Sequence, residues 1–499
     1  MRKPRRRVPK NSMPGPPSVK MSTVDTAWLR MDRPHNLMMV CGVMMFDRAV
    51  DRARLVRVVE ERFCVFPRFR QRAIERDGAA YWEDDERFDV GRHVVSDALP
   101  GRAGKRELQA LVSRLVATPL DPAHPMWQFR LVERCGGGSA LILRIHHCYA
   151  DGIALVRVML SMTDAGPEGP AAMPFAPGRR ARKAAASAVE GMLVQPLSSL
   201  MKTALAAGAS LLGRGAGLFQ DPAAAVELAN QGGALAAELG RIALMGQDSA
   251  TRFKGKPGVA KRVAWADPLP LAEVKAVGGA LSASVNDVLL SCVTGALRAY
   301  LVEKGDAVDG LCLRAVVPVN LRPIEKAWQL GNQFGLVFCD LPIGIENPVE
   351  RLYAVRANMR ALKGSWQPAL TIGLLSAIGA APRALQELVL QALARNGTAV
   401  MTNVPGPAAP LYLAGAKIES VIVWVPQSGD IGLGVSILSY AGSVQFGLLT
   451  DRSLCPDPER VIERFGPEFE KLLLTTLLSP WPDRGDLDPA LAERAVAET

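Results

Sequence analysis

The stretch "LILRIHHCYADGIALVRV", residues 141–158, joins an apolar, strand-like run to a run with helical spacing, and it places His146, His147 and Asp151 at the junction. The chain has only five histidines in 499 residues, so two adjacent ones beside an acid require a chemical explanation. The segments "MWQFRLVE" and "SALILRI", joined by "RCGGG", predict a β-hairpin that ends at the two histidines. Adjacent residues of an extended segment point to opposite faces. We therefore predict that one imidazole faces a site and the other faces the scaffold.

The spacing of these residues favours acid–base chemistry over metal binding. A metal pair needs histidines at i and i+4 on a helix, or spread over several elements. A neutral imidazole, in contrast, is well suited to removing a hydroxyl proton at neutral pH. We predict His147 as that base. Asp151 can hold the local backbone or pair with a cation, and Gly152 allows the tight turn into the helix. No metal site is predicted.

Two nucleophile mechanisms compete with direct transfer. The chain contains no Gly-x-Ser-x-Gly elbow of the serine hydrolases. Cys148 is adjacent to His147, but immediate neighbours rarely reach the geometry of a nucleophile and its base. Activation of an acceptor hydroxyl by His147 needs no protein nucleophile.

The whole chain is long enough for two domains. Along it, the predicted strands and helices follow each other without regular alternation. We predict an α+β fold with a disordered basic tail over residues 1–20 and an N-terminal domain over 21–165. A linker that carries helices and is rich in alanine and glycine is predicted over 166–260, and a C-terminal domain over 261–499. The uncharged run from Gly364 to Pro382 contains internal prolines, so it is predicted as a buried or interfacial helix rather than a membrane span.

The net charge of +10 does not indicate nucleic-acid binding, because seven of these charges belong to a tail without acids. Adhesion of this tail to anionic lipid stays open beside a simple solvated tail. Eight cysteines without paired spacing, and the absence of a secretory signal, predict reduced thiols in a cytoplasmic protein.

Seven motifs give the chain a family resemblance after residue 20. "HHCYADG" resembles the HHxxxDG motif of the coenzyme A-dependent acyltransferase superfamily, which includes chloramphenicol acetyltransferase. "HPMWQFRLVE" is similar to a Pro-Leu-Trp segment with Met126 in place of leucine, and "SVNDVLLSCVTGALRAYL" to an Asn-Asp-Val-Val-Leu motif with Leu289 in place of the second valine. "VPVNLRP", "LGNQFGLVFCDLP" and "MTNVPGP" follow in order, ahead of "GLGVSILSYAGSVQFGLLTD". Together they resemble the bacterial wax ester synthase/diacylglycerol acyltransferases.

The resemblance implies two chloramphenicol-acetyltransferase-like α/β sandwich domains with a channel between them, which acyl-CoA and the acceptor enter from opposite sides. It implies His147 as general base, His146 and Asp151 in support, and Asn286 beside the catalytic histidine. Further candidates for substrate binding are Gly152, Pro125, Trp127 and Asp287. A structural role stays open for Trp127, and a helix cap for Asp287.

The expected activity is O-acyl transfer from long-chain acyl-CoA to diacylglycerol or a fatty alcohol, which forms triacylglycerol or wax ester. Acyl-CoA is then a co-substrate, and no cofactor is expected. The protein is expected to associate peripherally with the membrane or with lipid inclusions from the cytoplasm. Two alternatives stay open: the same fold with another hydroxyl acceptor, and a non-catalytic lipid-body protein. CoA release from palmitoyl-CoA with dioleoylglycerol would separate the enzyme from the coat protein.

Overall fold

The computed structural model describes residues 18–168, 245–321, 330–362, 365, 367–380 and 395–478. Most of the predicted basic tail and most of the predicted linker therefore lie outside the described residues. The described strands are β1 Ser18–Lys20, β2 Met39–Phe46, β3 Gln71–Arg76, β4 Ala79–Asp84, β5 Val94–Asp97, β6 Trp127–Cys135, β7 Gly138–His146, β8 Lys261–Trp265, β9 Leu269–Pro270, β10 Leu313–Asn320, β11 Phe334–Leu341, β12 Ala399–Pro405, β13 Tyr412–Leu413, β14 Ala416–Trp424, β15 Leu433–Tyr440 and β16 Ser443–Asp451. The described α-helices are α1 Thr23–Met31, α2 Arg52–Val58, α3 Val90–His93, α4 Lys105–Val116, α5 Gly152–Met162, α6 Leu271–Ala280, α7 Val285–Glu303, α8 Pro348–Leu362, α9 Gln367–Ala380 and α10 Pro458–Leu478.

The first large sheet contains the predicted hairpin. Its strand order is β13-β14-β2-β7-β6-β5, and β6 pairs with β7 in antiparallel register from Trp127 opposite Ile145. Strand β14 lies in the predicted C-terminal domain by sequence, yet it pairs with β2 along Ile418–Trp424. A segment from the second half of the chain thus completes the sheet of the first domain. The predicted domains are each continuous in sequence and do not account for this exchange.

The second large sheet belongs to the C-terminal half. Its order is β11-β10-β12-β15-β16-β8, with the short β9 beside β16. Strand β12 is parallel to both of its neighbours, whereas the other pairs are antiparallel. Such a mixed sheet with helices against it is the α+β arrangement that the irregular element order predicts.

Helix α7 forms the centre of the second core. Within the described residues it is the one helix long and apolar enough to cross a membrane, but 72% of its apolar window is buried inside the protein. Its buried face packs with α8 and α10 under the second sheet. A core helix of this kind needs no lipid around it.

Two segments at the edges of the fold bear on predictions made above. The last residues of the predicted disordered tail, Ser18–Lys20, form a strand paired with β4, so the tail prediction extends too far. The predicted uncharged helix is present as α9 and packs on α1 and β11. A side chain of α9 also bonds β11: Gln367 Oε1 accepts from the backbone N–H of Phe338 at 2.9 Å.

Candidate active site

The two histidines lie where β7 ends, and their backbones bond to opposite neighbours. The N–H of His146 donates to the carbonyl of Met126 at 2.9 Å, whereas the N–H of His147 donates to that of Met38 at 2.7 Å. This alternation is that of an extended segment. It allows the two side chains to have different surroundings.

His147 lies in an aromatic pocket with only 3% of its surface exposed. Its ring stacks on the indole of Trp28 at a centroid distance of 4.2 Å, and Phe334 lies tilted at 5.6 Å. Burial lowers the pKa of His147 to about 4, although the Asp151 carboxylate and the Asn332 side chain oppose the change. The imidazole is therefore neutral at physiological pH, which is the state that a general base requires.

His146 is tied to its own loop and to the end of α1. Its Nδ1 accepts a hydrogen bond from the backbone N–H of Cys148 at 3.2 Å. Its Nε2 lies 3.8 Å from Asp32 Oδ1, and this carboxylate oxygen also accepts from the N–H of Met38 at 2.6 Å. These contacts organise the loop.

Asp151 joins the motif to the helix and to the second half of the chain. Its Oδ1 accepts from the N–H of Ala154 at 2.9 Å and caps α5, while Oδ2 accepts from the N–H of Gln333 at 3.0 Å. Gly152 begins α5 without a positive φ, so the predicted need for a tight glycine turn is wrong. A Cβ at Gly152 would meet no atom within 4 Å outside its chain neighbours and its own helix backbone, and Gly152 borders a cavity.

Asn286 and Asp287 lie in the first turn of α7. The Oδ1 of Asn286 accepts from Asn403 Nδ2 at 2.8 Å, and among the described residues no hydrogen bond joins Asn286 to a histidine. Asp287 forms a capping box with Ser284: its Oδ2 accepts from the N–H of Ser284 at 3.0 Å, and Ser284 Oγ accepts from the N–H of Asp287 at 3.2 Å. Asp287 is therefore a helix cap, and its candidate role in substrate binding has no contact to support it.

Trp127 and Pro125 lie in the N-terminal core rather than in a channel. The Trp127 ring stacks on His93 at 4.3 Å, and its Nε1 donates to the carbonyl of Phe69 at 2.8 Å. The carbonyl of Pro125, a buried residue, accepts from the N–H of Trp127 at 2.8 Å. Trp127 thus has the structural role in the core that the sequence left open beside substrate binding.

The sequence did not single out Trp28 and Asn332, which contact His147, or Asp25, which bonds Asn332. Asn332 belongs to the "LGNQFG" segment, whose place in the family order was the only signal for it. Cys148, in contrast, is fully buried, and burial raises the pKa of its thiol well above the usual range. A protonated thiol is a poor nucleophile, so Cys148 does not compete with direct transfer.

An apolar cavity lies between the two large sheets and beside α5. The walls come from β2, β7 and β14 on one side and from β12 and β15 on the other, and no charged side chain lines them. Apolar side chains of this kind are the usual lining of ligand pockets. The loop with His147 connects β7 and α5, which both line this cavity. Among the described residues, no group of three or more potential ligands is arranged to hold a metal.

Comparison with known protein families agrees with this geometry. Residues 21–289 match the catalytic domain of the wax ester synthases/diacylglycerol acyltransferases, and residues 330–473 match the C-terminal domain of the same family. The chain belongs to this family. It is therefore an acyltransferase, and its family implies acyl-CoA and an acceptor alcohol as the substrates.

Individual relatives support the assignment at different levels. A protein of Mycobacterium bovis named as a diacylglycerol O-acyltransferase is 32% identical over 415 residues, which cover 81% of this chain and 79% of that protein. A protein of Mycobacterium tuberculosis with the same activity in its name is 27% identical over 478 residues, 91% of this chain and 90% of that protein.

Two solved structures share the fold. The wax ester synthase/diacylglycerol acyltransferase of Marinobacter aquaeolei has a TM-score of 0.63 at 22% identity, with 92% of this chain and 100% of that chain covered. The starter condensation domain of rhizomide synthetase has a TM-score of 0.56 at 12% identity, with 94% and 98% covered. The predicted architecture of two acyltransferase domains is confirmed.

Proposed function

We propose that His147 is the general base of an O-acyltransferase that joins a long-chain acyl group from acyl-CoA to diacylglycerol or a fatty alcohol. The observation that carries this proposal is the position of a buried, neutral imidazole on the loop between two walls of an apolar cavity. A base at this place meets a hydroxyl whose alkyl chain is out of water.

In the proposed reaction, a ring nitrogen of His147 takes the proton of the acceptor hydroxyl while the hydroxyl oxygen attacks the thioester carbonyl carbon. A C–O bond forms, and the carbonyl π electrons move onto oxygen. When this oxyanion collapses, the C–S bond breaks and the CoA sulfur leaves with the bonding pair. The imidazolium returns its proton to that sulfur, so the products are an ester and free CoA. Asn286 stays our candidate donor to the oxyanion, because its amide lies half-buried at the start of α7.

The cavity supports long-chain substrates. Each methylene transferred from water to an apolar wall contributes about 0.8 kcal/mol, so a chain that fills the cavity binds much better than a short one. Diacylglycerol and fatty alcohols both present a hydroxyl on apolar chains, and we propose both as acceptors. No cofactor takes part in the proposed reaction.

A substitution pair tests the role of His147. His147→Ala should lower turnover with palmitoyl-CoA and dioleoylglycerol by roughly 10²- to 10⁴-fold, because proton removal is lost. His146→Ala is the matched control: it should act mainly on thermal stability, because His146 bonds its own loop. Release of free CoA and the melting temperature are measured for both. A stable His146→Ala without activity, beside a His147→Ala that keeps most of it, would reverse the assignment.

We also propose that the enzyme works at a lipid surface, to which it is attached peripherally. The acceptors are lipids, and the described helix with enough length and apolar character to span a membrane is a core helix. The seven cations of residues 1–20 would add electrostatic attraction to an anionic surface.

A further inference from the structure

One hydroxyl group in the wall of the apolar cavity makes no hydrogen bond within the described residues. The lining residues that carry a hydroxyl are Thr163, Thr402, Ser436 and Tyr440. Three of these hydroxyls donate to backbone carbonyls, whereas Ser436 Oγ bonds no group in the described part of the chain. A buried hydroxyl without a partner costs free energy that a hydrogen bond would recover. Ser436 is therefore a place where a ligand oxygen would be stabilised.

The alternation of β15 directs the Ser436 side chain to the cavity. Val435 and Ile437, on either side of it in sequence, belong to the second core, whereas Leu438 and Tyr440 belong to the first. Successive side chains of a strand point to opposite faces, so Ser436 shares the face of Leu438 and Tyr440. Both of these residues line the cavity together with Ser436.

The strands beside β15 leave this hydroxyl unpaired. Ser436 is opposite Thr402 of β12 and opposite Gly447 of β16, and only 2% of its surface is exposed. Thr402 Oγ1 donates to the carbonyl of Val435 at 3.4 Å, and Gly447 has no side chain. Neither register partner bonds Ser436 Oγ, so its proton is free to meet an acceptor in the cavity.

The cavity extends to the loop that carries the proposed base. Ile145, two residues before His147, lines it, and so does Gly152, the residue after Asp151. An acceptor whose hydroxyl meets His147 would therefore place the rest of the molecule in the space that Ser436 borders.

The two proposed classes of acceptor differ in what they can offer to this donor. The hydroxyl of diacylglycerol is followed within a few bonds by two ester groups, whose carbonyl oxygens accept hydrogen bonds. A fatty alcohol has no oxygen besides its hydroxyl, and a palmitoyl chain has none beyond the thioester. A lone donor among apolar walls therefore matches an ester carbonyl, whereas a plain alkyl chain would leave it unpaired.

We propose that Ser436 Oγ donates a hydrogen bond to an ester carbonyl of the acceptor, which makes Ser436 a specificity-determining residue that favours diacylglycerol over fatty alcohols. The inference rests on the proposed function, in which both classes are acceptors. Ser436 takes no part in the bond changes at the thioester. It binds the acceptor at a point that the second class of acceptor does not have.

The test compares Ser436→Ala with Ser291→Ala. Ser291 is a matched control: it is 0% exposed, and its Oγ also has no hydrogen-bond partner among the described residues, but it lies on α7 and does not line the cavity. Neither substitution removes a hydrogen bond of the folded chain, so neither should lower the melting temperature.

Three acceptors are compared, with palmitoyl-CoA as the donor. They are 1,2-dioleoylglycerol, the dialkylglycerol that has ether oxygens in place of its two esters, and hexadecanol. The ether analogue keeps the hydroxyl and both chains, so it isolates the carbonyl groups. Release of free CoA gives kcat/KM for each acceptor.

For Ser436→Ala we expect kcat/KM with dioleoylglycerol to fall roughly 5- to 30-fold, while kcat/KM with hexadecanol stays within about twofold. The unaltered protein should prefer dioleoylglycerol to its ether analogue by a similar factor. Ser436→Ala should use these two about equally, because the donor that distinguishes them is gone. Ser291→Ala should keep the values of the unaltered protein with all three acceptors.

Two results would overturn the proposal. Equal losses with all three acceptors would indicate a distorted cavity, and an unchanged preference for the ester over the ether would indicate that water or an alkyl chain lies beside Ser436. If Ser436→Ala does not fold, Ser436→Cys keeps a similar size with a weak donor and should show the same loss of preference. Failure of the proposed function would look different, because the unaltered protein would then release no CoA or His147→Ala would keep most of its activity.

Discussion

Gly42 leaves a gap in the wall of the apolar cavity. It lies on β2 between Val40 and Met44, on the same face, and it pairs with Val423 on one side and Leu143 on the other. All four neighbours line the cavity, so Gly42 is the place where this row of side chains is interrupted. A larger residue there would project into the space that we assign to an alkyl chain.

The effect of Gly42→Leu follows from the carbon atoms that it adds. A leucine side chain brings four carbons, which would displace about three methylenes of a bound chain, at about 0.8 kcal/mol each. The expected loss is roughly 2.4 kcal/mol, or about sixtyfold in kcat/KM, for chains long enough to reach Gly42. Shorter chains should be used almost as before. Gly42→Ala is the control, because its Cβ would lie 3.4 Å from Val423 Cγ2 and 3.7 Å from Leu143 Cδ1, in ordinary contact.

The assay uses two substrate series with each variant. Acyl-CoAs of increasing length are compared with dioleoylglycerol as the fixed acceptor, and alcohols of increasing length with palmitoyl-CoA as the fixed donor. The series whose long members are lost identifies the chain that the cavity holds. A folded Gly42→Leu enzyme with both length profiles unchanged would refute the assignment of the cavity, and equal losses at every length would indicate a distorted site instead.

Four further expectations concern the base, the start of α7 and the tail. Because burial lowers the pKa of His147 to about 4, the acid limb of kcat/KM should lie near pH 4 rather than 6.5; a limb near 6.5 would contradict the buried base. Below about pH 6.5 the unfolded chain binds a proton at His147, whereas the folded chain binds it only near pH 4. The free energy of unfolding should therefore fall by about 3 kcal/mol between pH 6.5 and 4. Denaturation curves of His147→Gln should lack this fall. Asn286→Ala should reduce turnover more than thermal stability, whereas a lower melting temperature with unchanged specific activity would make Asn286 structural. Deletion of residues 1–20 should weaken flotation with anionic vesicles in low salt without loss of activity on detergent-dispersed acceptor, and equal flotation at low and high salt would exclude the tail as an anchor.

The local elements could be predicted from the sequence because each has its own periodicity. The hairpin and α5 appear close to their predicted positions. The periodicity of a segment does not indicate which other strand it pairs with. "IESVIVWVP" alternates as a strand should, but nothing in it indicates that β14 completes the first sheet rather than the second.

The same limit explains the site residues. A tryptophan in an apolar hairpin has the same sequence pattern whether it lines a channel or fills a core. For Trp127, the hydrogen bond to the carbonyl of Phe69 shows that the side chain fills the core. Asn332 and its partner Asp25 are 307 residues apart in the chain. A motif of seven residues therefore contains the proposed base, while Trp28 and Asn332, which contact it, come from segments that only the folded chain brings together.

Burial has two opposite consequences for a general base: it keeps the ring neutral, and it weakens the ring as a proton acceptor. Both consequences apply to His147, and its neighbours oppose the second. Stacking against Trp28 removes water and keeps the ring neutral, which secures the reactive protonation state at every physiological pH. The same burial weakens the ring as a proton acceptor, because the imidazolium that forms during reaction is poorly solvated. Asp151 and Asn332 act against this second effect, since both favour the protonated ring. Removal of either should therefore cost more in turnover than in binding, because the charge that they stabilise exists only once the proton has moved.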